Sequence, residues 1–272
     1  MNYGEKLRSY AIDVTRPSVA RMYDWLLGGV ENYASDREAC QQLLKIAPST
    51  KALALNNRDF LRRVVEILAK EYGIRQFIDH GSGLPTQDNV HEIAQRIAPD
   101  ARVVYIDNDP IVVAHGRTAL EENAQTAVID EDMQNTDQIF GHPEVRRLID
   151  LGEPVAALFV SVLHCLDDED AAALVRRVAS RLPDGSFMVI CQLVSDHADV
   201  RDRVTRLMKN ITGGKWGRVR EKHEVAAYFE GLVVEEPGLT DVTYWRNDGK
   251  AVHQQHEDDW IEWGGLGRVS RT

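Results

Sequence analysis

From residue 74 onward, short apolar segments alternate with segments of helical periodicity, and this alternation most constrains the fold. Five apolar runs are predicted to be strands, at residues 74–80, 101–109, 126–132, 154–166 and 186–194. The first four are each followed by a segment with the spacing of an amphipathic helix. Apolar strands that alternate with helices are typical of a parallel sheet covered on both faces. The sequence therefore predicts an α/β chain with a doubly wound, mostly parallel sheet.

The two ends of the chain depart from this alternation. Residues 1–72 are predicted to be helical, and the apolar stripe of "SVARMYDWLLGG" is closed by two glycines. We expect them to form an N-terminal cap or lid on a ligand-binding domain over residues 73–272, the two making one compact unit. In the tail, residues 232–248 are predicted to be two strands joined by Pro237-Gly238 as a hairpin or near-hairpin at the end of the sheet.

The composition limits the classes of binding partner and the cellular compartment that we expect for this chain. The chain has 272 residues, with 32 basic against 43 acidic side chains and a net charge of -11. Such a charge repels phosphates, so neither nucleic acid nor a membrane is expected as the main partner. Cys40, Cys165 and Cys191 form no CxxC pair, so no metal site is expected and a reducing compartment is favoured. With no targeting pattern and no apolar run near about 20 residues, we expect a cytoplasmic protein.

The turn after the first predicted strand, "FIDHGSGLPTQDNV", indicates a ligand site. In a doubly wound sheet, ligands bind beyond the carboxyl ends of the strands. Gly81 and Gly83 suit a tight turn in which the backbone approaches a ligand closely. The third glycine of the dinucleotide-binding fingerprint is missing, and Pro85 falls early in the connection. The turn therefore disfavours an NAD-dependent oxidoreductase.

Acids also lie at the ends of the first two strands. Asp79 stands directly before the glycines, where it would repel a pyrophosphate and attract a cationic ligand such as the methionine end of S-adenosylmethionine. Asp107, 24 residues after Gly83, has the spacing of a carboxylate that binds ribose hydroxyls. The alternative for this pair of acids is helix capping before Pro110, and we assign capping to Asp109 and binding to Asp107.

A third acid follows the third strand, and an arginine precedes the first. Asp132 can accept from an adenine amino group while Met133 packs on the ring; a plain loop acid is the alternative. Arg58 can pair with the carboxylate of the methionine end, as guanidinium forks do well, or remain solvated. Three acids at successive strand ends are more specific together than any one alone.

The segment "LLGGVENYASDR" bears on how the N-terminal helices contact a ligand. A lid over the cofactor would give Gly28-Gly29 a hinge role and would let Tyr23 or Tyr33 contact the substrate. A plain helix C-cap is the alternative.

The order of these motifs resembles that of class I S-adenosylmethionine-dependent methyltransferases. "RLPDGSFMVI" is similar to their turn before strand five, and "YFEGLVVEEPGLTDVTYWR" resembles their last helix and sixth and seventh strands. "RPSVARMYDWLLGGVENYASDRE", "GLPTQDNVHE" and "VSVLHCLDDED" resemble blocks of a family of predicted methyltransferases, common in actinobacteria and long catalogued as a domain of unknown function. The resemblance covers nearly the whole chain. It implies a Rossmann-like seven-stranded sheet in the order three, two, one, four, five, seven, six, with the seventh strand antiparallel.

The resemblance also implies roles for single residues. Those expected to contact the methionine end, the ribose and the adenine of the cofactor are, in that order, Asp79, Gly81 and Gly83; Asp107 and Asn108; Asp132 and Met133. Ser161 and His164 would line the pocket after strand four. His164 is the best candidate for a general base, and a hydrogen-bonded histidine in the pocket wall is the alternative. His80 replaces an expected aliphatic residue, either as a packing change or as a ring near the cofactor.

We therefore expect an S-adenosylmethionine-dependent methyltransferase that acts on a small molecule by in-line methyl transfer. The cofactor carries the activated group, so the protein mainly supplies alignment and the exclusion of water. A non-catalytic S-adenosylmethionine-binding or regulatory protein is the alternative, because no catalytic signature accompanies the motifs. An NAD-dependent oxidoreductase is a weaker one.

Overall fold

The molecule is built around a twisted sheet whose strands alternate with helices along the chain. A computed structural model of the chain describes residues 13–86, 88–120, 123–256 and 260–271. The strands are β1 Gln76–His80, β2 Arg102–Asp107, β3 Thr126–Asp130, β4 Ala156–Val160, β5 Phe187–Val194, β6 Leu232–Val234, β7 Thr240–Asp241 and β8 Ile261–Val269.

The helices precede the sheet, connect its strands and cover it. They are α1 Val19–Leu26, α2 Ala34–Leu44, α3 Thr50–Lys70, α4 Val90–Ile97, α5 Pro110–Ala119, α6 Thr136–Gly141, α7 Pro143–Leu148, α8 Asp168–Arg181, α9 Ala198–Ile211 and α10 Lys222–Ala226. Short 3₁₀ turns lie at Leu163–Cys165 and Ala227–Phe229. Over these ranges, no helix is long and apolar enough to cross a membrane.

The strand order is β3-β2-β1-β4-β5-β8-β6, and β7 pairs with β8 beside this path. The first five strands are parallel to one another, and β8 is antiparallel to β5. The doubly wound, mostly parallel sheet and its expected strand order are confirmed. Because β1 lies between β2 and β4, the strand order reverses at this point, and the carboxyl ends of β1 and β4 flank the switch point where ligands bind in such folds.

The prediction for the last strands is wrong. Within residues 232–248, β6 and the two-residue β7 both pair with β8 and not with each other, so they form no hairpin. The seventh strand of the expected order is instead β8, some twenty residues further along the chain. The short β7 raises the number of strands in the sheet to eight.

Glycine explains why the pattern of β8, "IEWGGLGRV", did not mark it as a strand. Glycine is depleted in strands because it lacks a side chain to pack. Here close packing requires it: a Cβ added to Gly264 would lie 1.9 Å from the carbonyl oxygen of Ile190, and one added to Gly267 would lie 2.8 Å from Leu232 Cδ1. The residue that weakens the sequence signal is the one that lets β8 approach its neighbours.

Three large hydrophobic clusters hold most of the helices in place, and a small fourth one packs the start of α5. One joins α3 and α4 to one side of the sheet, and a second joins α6, α7 and α8 to the other. The third, which we call the cap cluster, contains residues of α1, α2, α9 and the first half of α3 together with Leu193, Trp216, Val219 and Trp260. The middle and end of α3 belong to the sheet's own core, so this helix belongs to two clusters at once.

The division of the chain at residue 72 stays a prediction, and α3 offers a test of it. The Phe60 ring is fully buried and meets the Trp245 ring edge-on, with centroids 5.5 Å apart. Replacing Phe60 with alanine should cost about 3–5 kcal/mol of unfolding free energy, because a buried aromatic ring leaves a cavity. Tyr244→Ala, which removes an exposed ring, is the matched control and should cost no more than about 0.5 kcal/mol.

Calorimetric melting of both variants measures these costs. We expect one cooperative transition, which Phe60→Ala shifts downward as a whole. Two transitions, only one of them shifted, would show instead that the N-terminal helices unfold as a unit of their own.

Candidate functional site

A cavity of about 810 Å³ lies beyond the carboxyl ends of β1, β2 and β4 and is walled on its other side by α1 and α3. Its sheet side carries the strand-end acids and the G-x-G turn. The rest of its wall is largely apolar and belongs to the cap cluster. We call this part the apolar chamber; it is formed by Leu26, Leu53, Leu193, Met208, Trp216 and Trp260.

The turn after β1 has the backbone geometry that only glycine adopts easily. Gly81 and Gly83 have φ angles of 71° and 67°. A Cβ on Gly81 would lie 2.3 Å from Val162 Cγ2, whereas one on Gly83 would meet nothing within 4 Å. Gly81 therefore packs against the loop after β4, and Gly83 leaves open space beside the cavity.

Asp79 carries a buried carboxyl group at the mouth of this turn. It is 7% exposed and lines the cavity, and no side chain or backbone group of the described ranges makes a hydrogen bond with its carboxylate. Burial raises the pKa of Asp79 to about 7; the Arg58 guanidinium lowers it and Asp107 raises it further. A carboxyl group in this state is poised to accept a cationic partner.

Asp107 holds the turn from the neighbouring strand. Its Oδ2 accepts a hydrogen bond from the backbone N–H of Gly83 at 2.9 Å, and its Oδ1 accepts from that of Asp109 at 2.9 Å. Burial raises its pKa, and these backbone donors oppose the rise. A carboxylate keeps further lone pairs for a ligand when it accepts two such bonds.

Asp109 caps α5, as its position before Pro110 predicts. Its Oδ1 accepts from the backbone N–H of Ile111 at 2.9 Å. Its Oδ2 also accepts from the hydroxyl of Ser18 at 2.7 Å, which ties the start of α1 to the start of α5. The assignment of capping to Asp109 is confirmed.

The structure brings the other expected cofactor contacts to the same cavity. Arg58 reaches it from α3 and donates to the backbone oxygen of Asp88 at 2.6 Å. Past β3, Asp132 accepts from the backbone N–H of Gln134 at 2.9 Å. The remaining residues of this set, which also line the cavity, are Asn108, Met133 and Ser161.

Of the two tyrosines expected near the substrate, only Tyr23 lines the cavity. Its hydroxyl donates to the carbonyl oxygen of Ala54 at 3.2 Å and accepts from Asn57 Nδ2 at 3.0 Å. Asn57, which no motif singled out, in turn accepts from the Cys191 thiol at 3.4 Å. The hydroxyl proton of Tyr23 is thus already committed to a backbone oxygen, and burial raises its pKa.

Tyr33 lies outside the cavity, and its expected substrate contact has no support in the structure. It is 42% exposed, and the Arg21 guanidinium stacks over its ring at 5.3 Å. Tyr33 sits at the N-terminus of α2, after a turn that separates it from α1. Proximity in sequence to Gly28-Gly29 therefore did not translate into proximity to the ligand.

His164 lines the cavity, but its environment disfavours the general-base role. Its side chain is buried against the Trp216 ring, with centroids 4.5 Å apart, and its Nδ1 has no hydrogen-bond partner among the described residues. Burial lowers its pKa to about 3, and the charge of Arg220 lowers it further. An imidazole with so low a pKa is a weak proton acceptor, so a place in the pocket wall fits the structure better than the base role. The hydrogen bond that this alternative expects is not made by Nδ1 within the described residues.

His80 is a core residue. Its ring is fully buried and stacks on Phe159, with centroids 4.3 Å apart, and it does not line the cavity. Burial lowers its pKa to about 4, which keeps the ring neutral at physiological pH. Of the two interpretations of His80, the packing change therefore fits the structure.

Glu262 is the main cavity residue that the sequence did not reveal. It lies on β8, is 2% exposed, and accepts a hydrogen bond at Oε1 from the Ser161 hydroxyl. Burial raises its pKa to about 8, against the hydrogen bond from Ser161. An acid inside an apolar run was the only local signal, and β8 itself was not predicted.

Comparison with known proteins identifies the family. A family model described as S-adenosyl methyltransferase matches residues 5–270. A candidate methyltransferase from Thermobifida fusca YX is 36% identical, with a TM-score of 0.87 over 95% of this chain and 97% of that chain. A DUF574 family protein from Streptomyces avermitilis MA-4680 is also 36% identical, with a TM-score of 0.84 over 94% of this chain and 99% of that one.

A more distant structure shares the fold alone. An O-methyltransferase family protein from Burkholderia thailandensis is 14% identical, with a TM-score of 0.50 over 83% of this chain and 62% of that chain. Among curated protein sequences the chain has no match. The family match covers almost the entire chain, which settles both the cofactor and the class of enzyme. The chain belongs to the S-adenosyl methyltransferase family, whose cofactor is S-adenosylmethionine.

Proposed function

We propose that the protein methylates a small, largely apolar molecule held between the strand ends and the N-terminal helices. The observation that carries this proposal is a single cavity that joins the strand-end acids to the apolar chamber. A site of about 810 Å³ falls in the range of small-molecule pockets, and its tryptophan-lined wall suits an apolar molecule better than a charged macromolecule.

The residues on the sheet side fit S-adenosylmethionine. The Asp79 carboxylate, which has no hydrogen-bond partner in the described ranges, suits the cationic amino group of the methionine end. Arg58 suits its carboxylate, and the open space at Gly83 suits close approach of the ligand to the backbone. Asp107 is placed for the ribose hydroxyls and Asp132 with Met133 for the adenine.

The protein's contribution to methyl transfer is alignment and the exclusion of water. When bound, S-adenosylmethionine supplies a methyl group already activated by a sulfonium. The apolar chamber would hold the acceptor next to the bound cofactor and keep water away, as in-line displacement requires. Tyr23, fixed by Ala54 and Asn57, is a rigid part of this wall.

The side chains that α1 and α2 contribute to the cavity wall support a lid role for these helices. The hydrogen bond between Ser18 and Asp109 would have to break for α1 to move away from the cavity. Gly28, which follows the other end of α1 and has a φ of 86°, is suited to act as the hinge. The cytoplasmic location, favoured by cysteines that are unpaired in the structure, stays a prediction.

Substitution of Asp107 tests the cofactor site. Asp107→Ala should weaken S-adenosylmethionine binding by about tenfold to a thousandfold, because charge-assisted hydrogen bonds to the ribose are lost. Asp109→Ala, the comparison variant, removes the α5 cap and the tie to Ser18; it should cost about 1 kcal/mol of stability and change affinity far less than Asp107→Ala does. Calorimetric titration and melting of both variants separate the two effects.

An affinity loss confined to Asp109→Ala would place the ribose two residues further along the chain. Titration with NAD belongs in the same experiment. Binding of NAD in place of S-adenosylmethionine and its demethylated product would remove the proposed function altogether.

The raised pKa of Asp79 predicts how cofactor affinity depends on pH. Below about pH 7 the free carboxyl group holds a proton that must leave before it can bind a cation. Affinity for S-adenosylmethionine should therefore fall by up to about tenfold for each pH unit below 7. Asp79→Asn should bind more weakly near pH 7 and show a flatter pH profile. An Asp79→Asn profile as steep as that of the wild type would show that another group controls binding.

Small-molecule extracts incubated with the protein and radiolabelled S-adenosylmethionine test the reaction itself. A labelled apolar product is expected. Cofactor binding with no labelled product from any extract would favour the non-catalytic alternative.

A further inference from the structure

Glu262 is a buried acid whose hydrogen bonding is incomplete. Its Oε1 accepts from the Ser161 hydroxyl, but its Oε2 is buried and has no hydrogen-bond partner among the residues that the structure describes. Buried polar atoms are nearly always hydrogen-bonded in native proteins, and an exception calls for an explanation. The carboxyl group belongs to the cavity wall, so a ligand can supply the missing partner.

The position of Glu262 joins the two halves of the cavity. Through Ser161 it is bonded to the loop after β4, on the cofactor side. Along the chain it lies two residues after Trp260, and on β5 its register partner is Leu193; both belong to the apolar chamber. A group held at this boundary can contact a ligand that extends from the cofactor side into the apolar chamber.

Within the described ranges, no lysine or arginine shifts the pKa of this carboxyl group. Burial raises that pKa most, hydrogen bonds from Ser161 and from Cys191 on β5 lower it, and the charge of Asp241 on β7 raises it. Glu262 in turn raises the pKa of Tyr23 on α1 and of Cys165 in the 3₁₀ turn. An uncompensated buried acid costs stability, and such groups concentrate at functional sites.

We propose that Glu262, oriented by Ser161, accepts the proton of the methyl acceptor, an otherwise apolar small molecule that reacts through one N–H or O–H group. This inference rests on the proposed methyl transfer. A new bond forms between the acceptor nitrogen or oxygen and the methyl carbon as the carbon–sulfur bond breaks, with the electron pair of that bond remaining on sulfur. The acceptor's proton passes to Oε2 of Glu262.

The charges balance within the chamber. Before transfer, one positive sulfonium faces one negative carboxylate; afterwards the thioether, the methylated product and the protonated Glu262 are all neutral. A low-dielectric site favours a step that removes opposite charges without leaving one behind. The raised pKa of Glu262, about 8, makes its carboxylate a stronger proton acceptor than an ordinary one, and the positive charge of a bound sulfonium favours the ionised form that the step requires.

Neighbouring candidates are less suited to this role. The His164 imidazole has a pKa of about 3 and holds a proton poorly. The Tyr23 hydroxyl already donates to a backbone oxygen. Asp79 lies on the cofactor side, where the amino group of the methionine end is its expected partner.

Binding of three simple aromatic probes tests the inference. Wild-type protein saturated with S-adenosylhomocysteine is titrated with p-cresol, p-toluidine and toluene, which differ in having an O–H, an N–H or no donor. Above about pH 8, where Glu262 is ionised, we expect the two donors to bind about tenfold or more tightly than toluene, because a hydrogen bond to a buried carboxylate is strong. Affinity for p-cresol should rise as the pH passes through about 8.

Two variants make this outcome specific. Glu262→Gln keeps the shape of the side chain but should bind the donors about tenfold more weakly and lose the pH dependence. Asp241→Asn removes a neighbouring half-buried carboxylate that does not line the cavity, and it should keep the preference for donors. Equal binding of toluene and the donors, no binding of any probe, or equal effects of the two variants would overturn the inference. Failure to bind S-adenosylhomocysteine would instead remove the proposed function.

Stability gives a second, independent measurement. The folded pKa of Glu262, about 8, lies above its ordinary value of 4.5, so its contribution to stability is fully present below about pH 4.5 and is lost as the pH rises through 8. Melting of ligand-free protein should therefore show Glu262→Gln gaining stability relative to wild type between about pH 5 and pH 8. A difference in melting temperature that does not change with pH would mean that Glu262 is not held as an uncompensated buried acid.

Discussion

Parallel pairing of β1, β2 and β3 brings acidic side chains to one edge of the sheet, and the site depends on how their charges are balanced. Asp107 lies opposite Asp130 in the register of β2 and β3, and its charge raises the pKa of Asp79 on β1. The Asp107 carboxylate accepts hydrogen bonds from the backbone N–H groups of Gly83 and Asp109. The Asp79 carboxylate has no such bond within the described residues, and the charge of Arg58 is what favours its ionised form. The ligand-free edge is therefore electrostatically strained, and a cationic ligand relieves that strain.

Local patterns were enough to predict this part of the molecule. The glycines of the turn, the acids beside them and the capping role of Asp109 are each fixed by a few consecutive residues. Parallel pairing then brings these segments together without further information. The alternation of strands and helices predicted the parallel part of the sheet because each of its strands is encoded by a local apolar run.

Features that depend on contacts between distant segments were missed or misassigned. The long antiparallel strand β8 was not predicted because its glycines are required by close contacts with Ile190 and Leu232, which no local sequence pattern reveals. Glu262 was lost with it. The sequence separation between Tyr33 and Gly28-Gly29 does not predict that the ring lies outside the cavity. A histidine after a strand does not reveal burial beside Trp216 or the nearby charge of Arg220, and these two features lower the pKa of His164.

The glycines of β8 also determine what can vary in this site. Backbone atoms of β8 and β5 meet so closely at Gly264 that the strand can neither shift nor accept a larger residue there. Glu262, two residues away, is therefore positioned by main-chain contact, while the walls facing it are side chains of α1, α3 and α9. Reshaping those walls can change which acceptor enters without moving the acid, so the scaffold separates the choice of substrate from the handling of its proton.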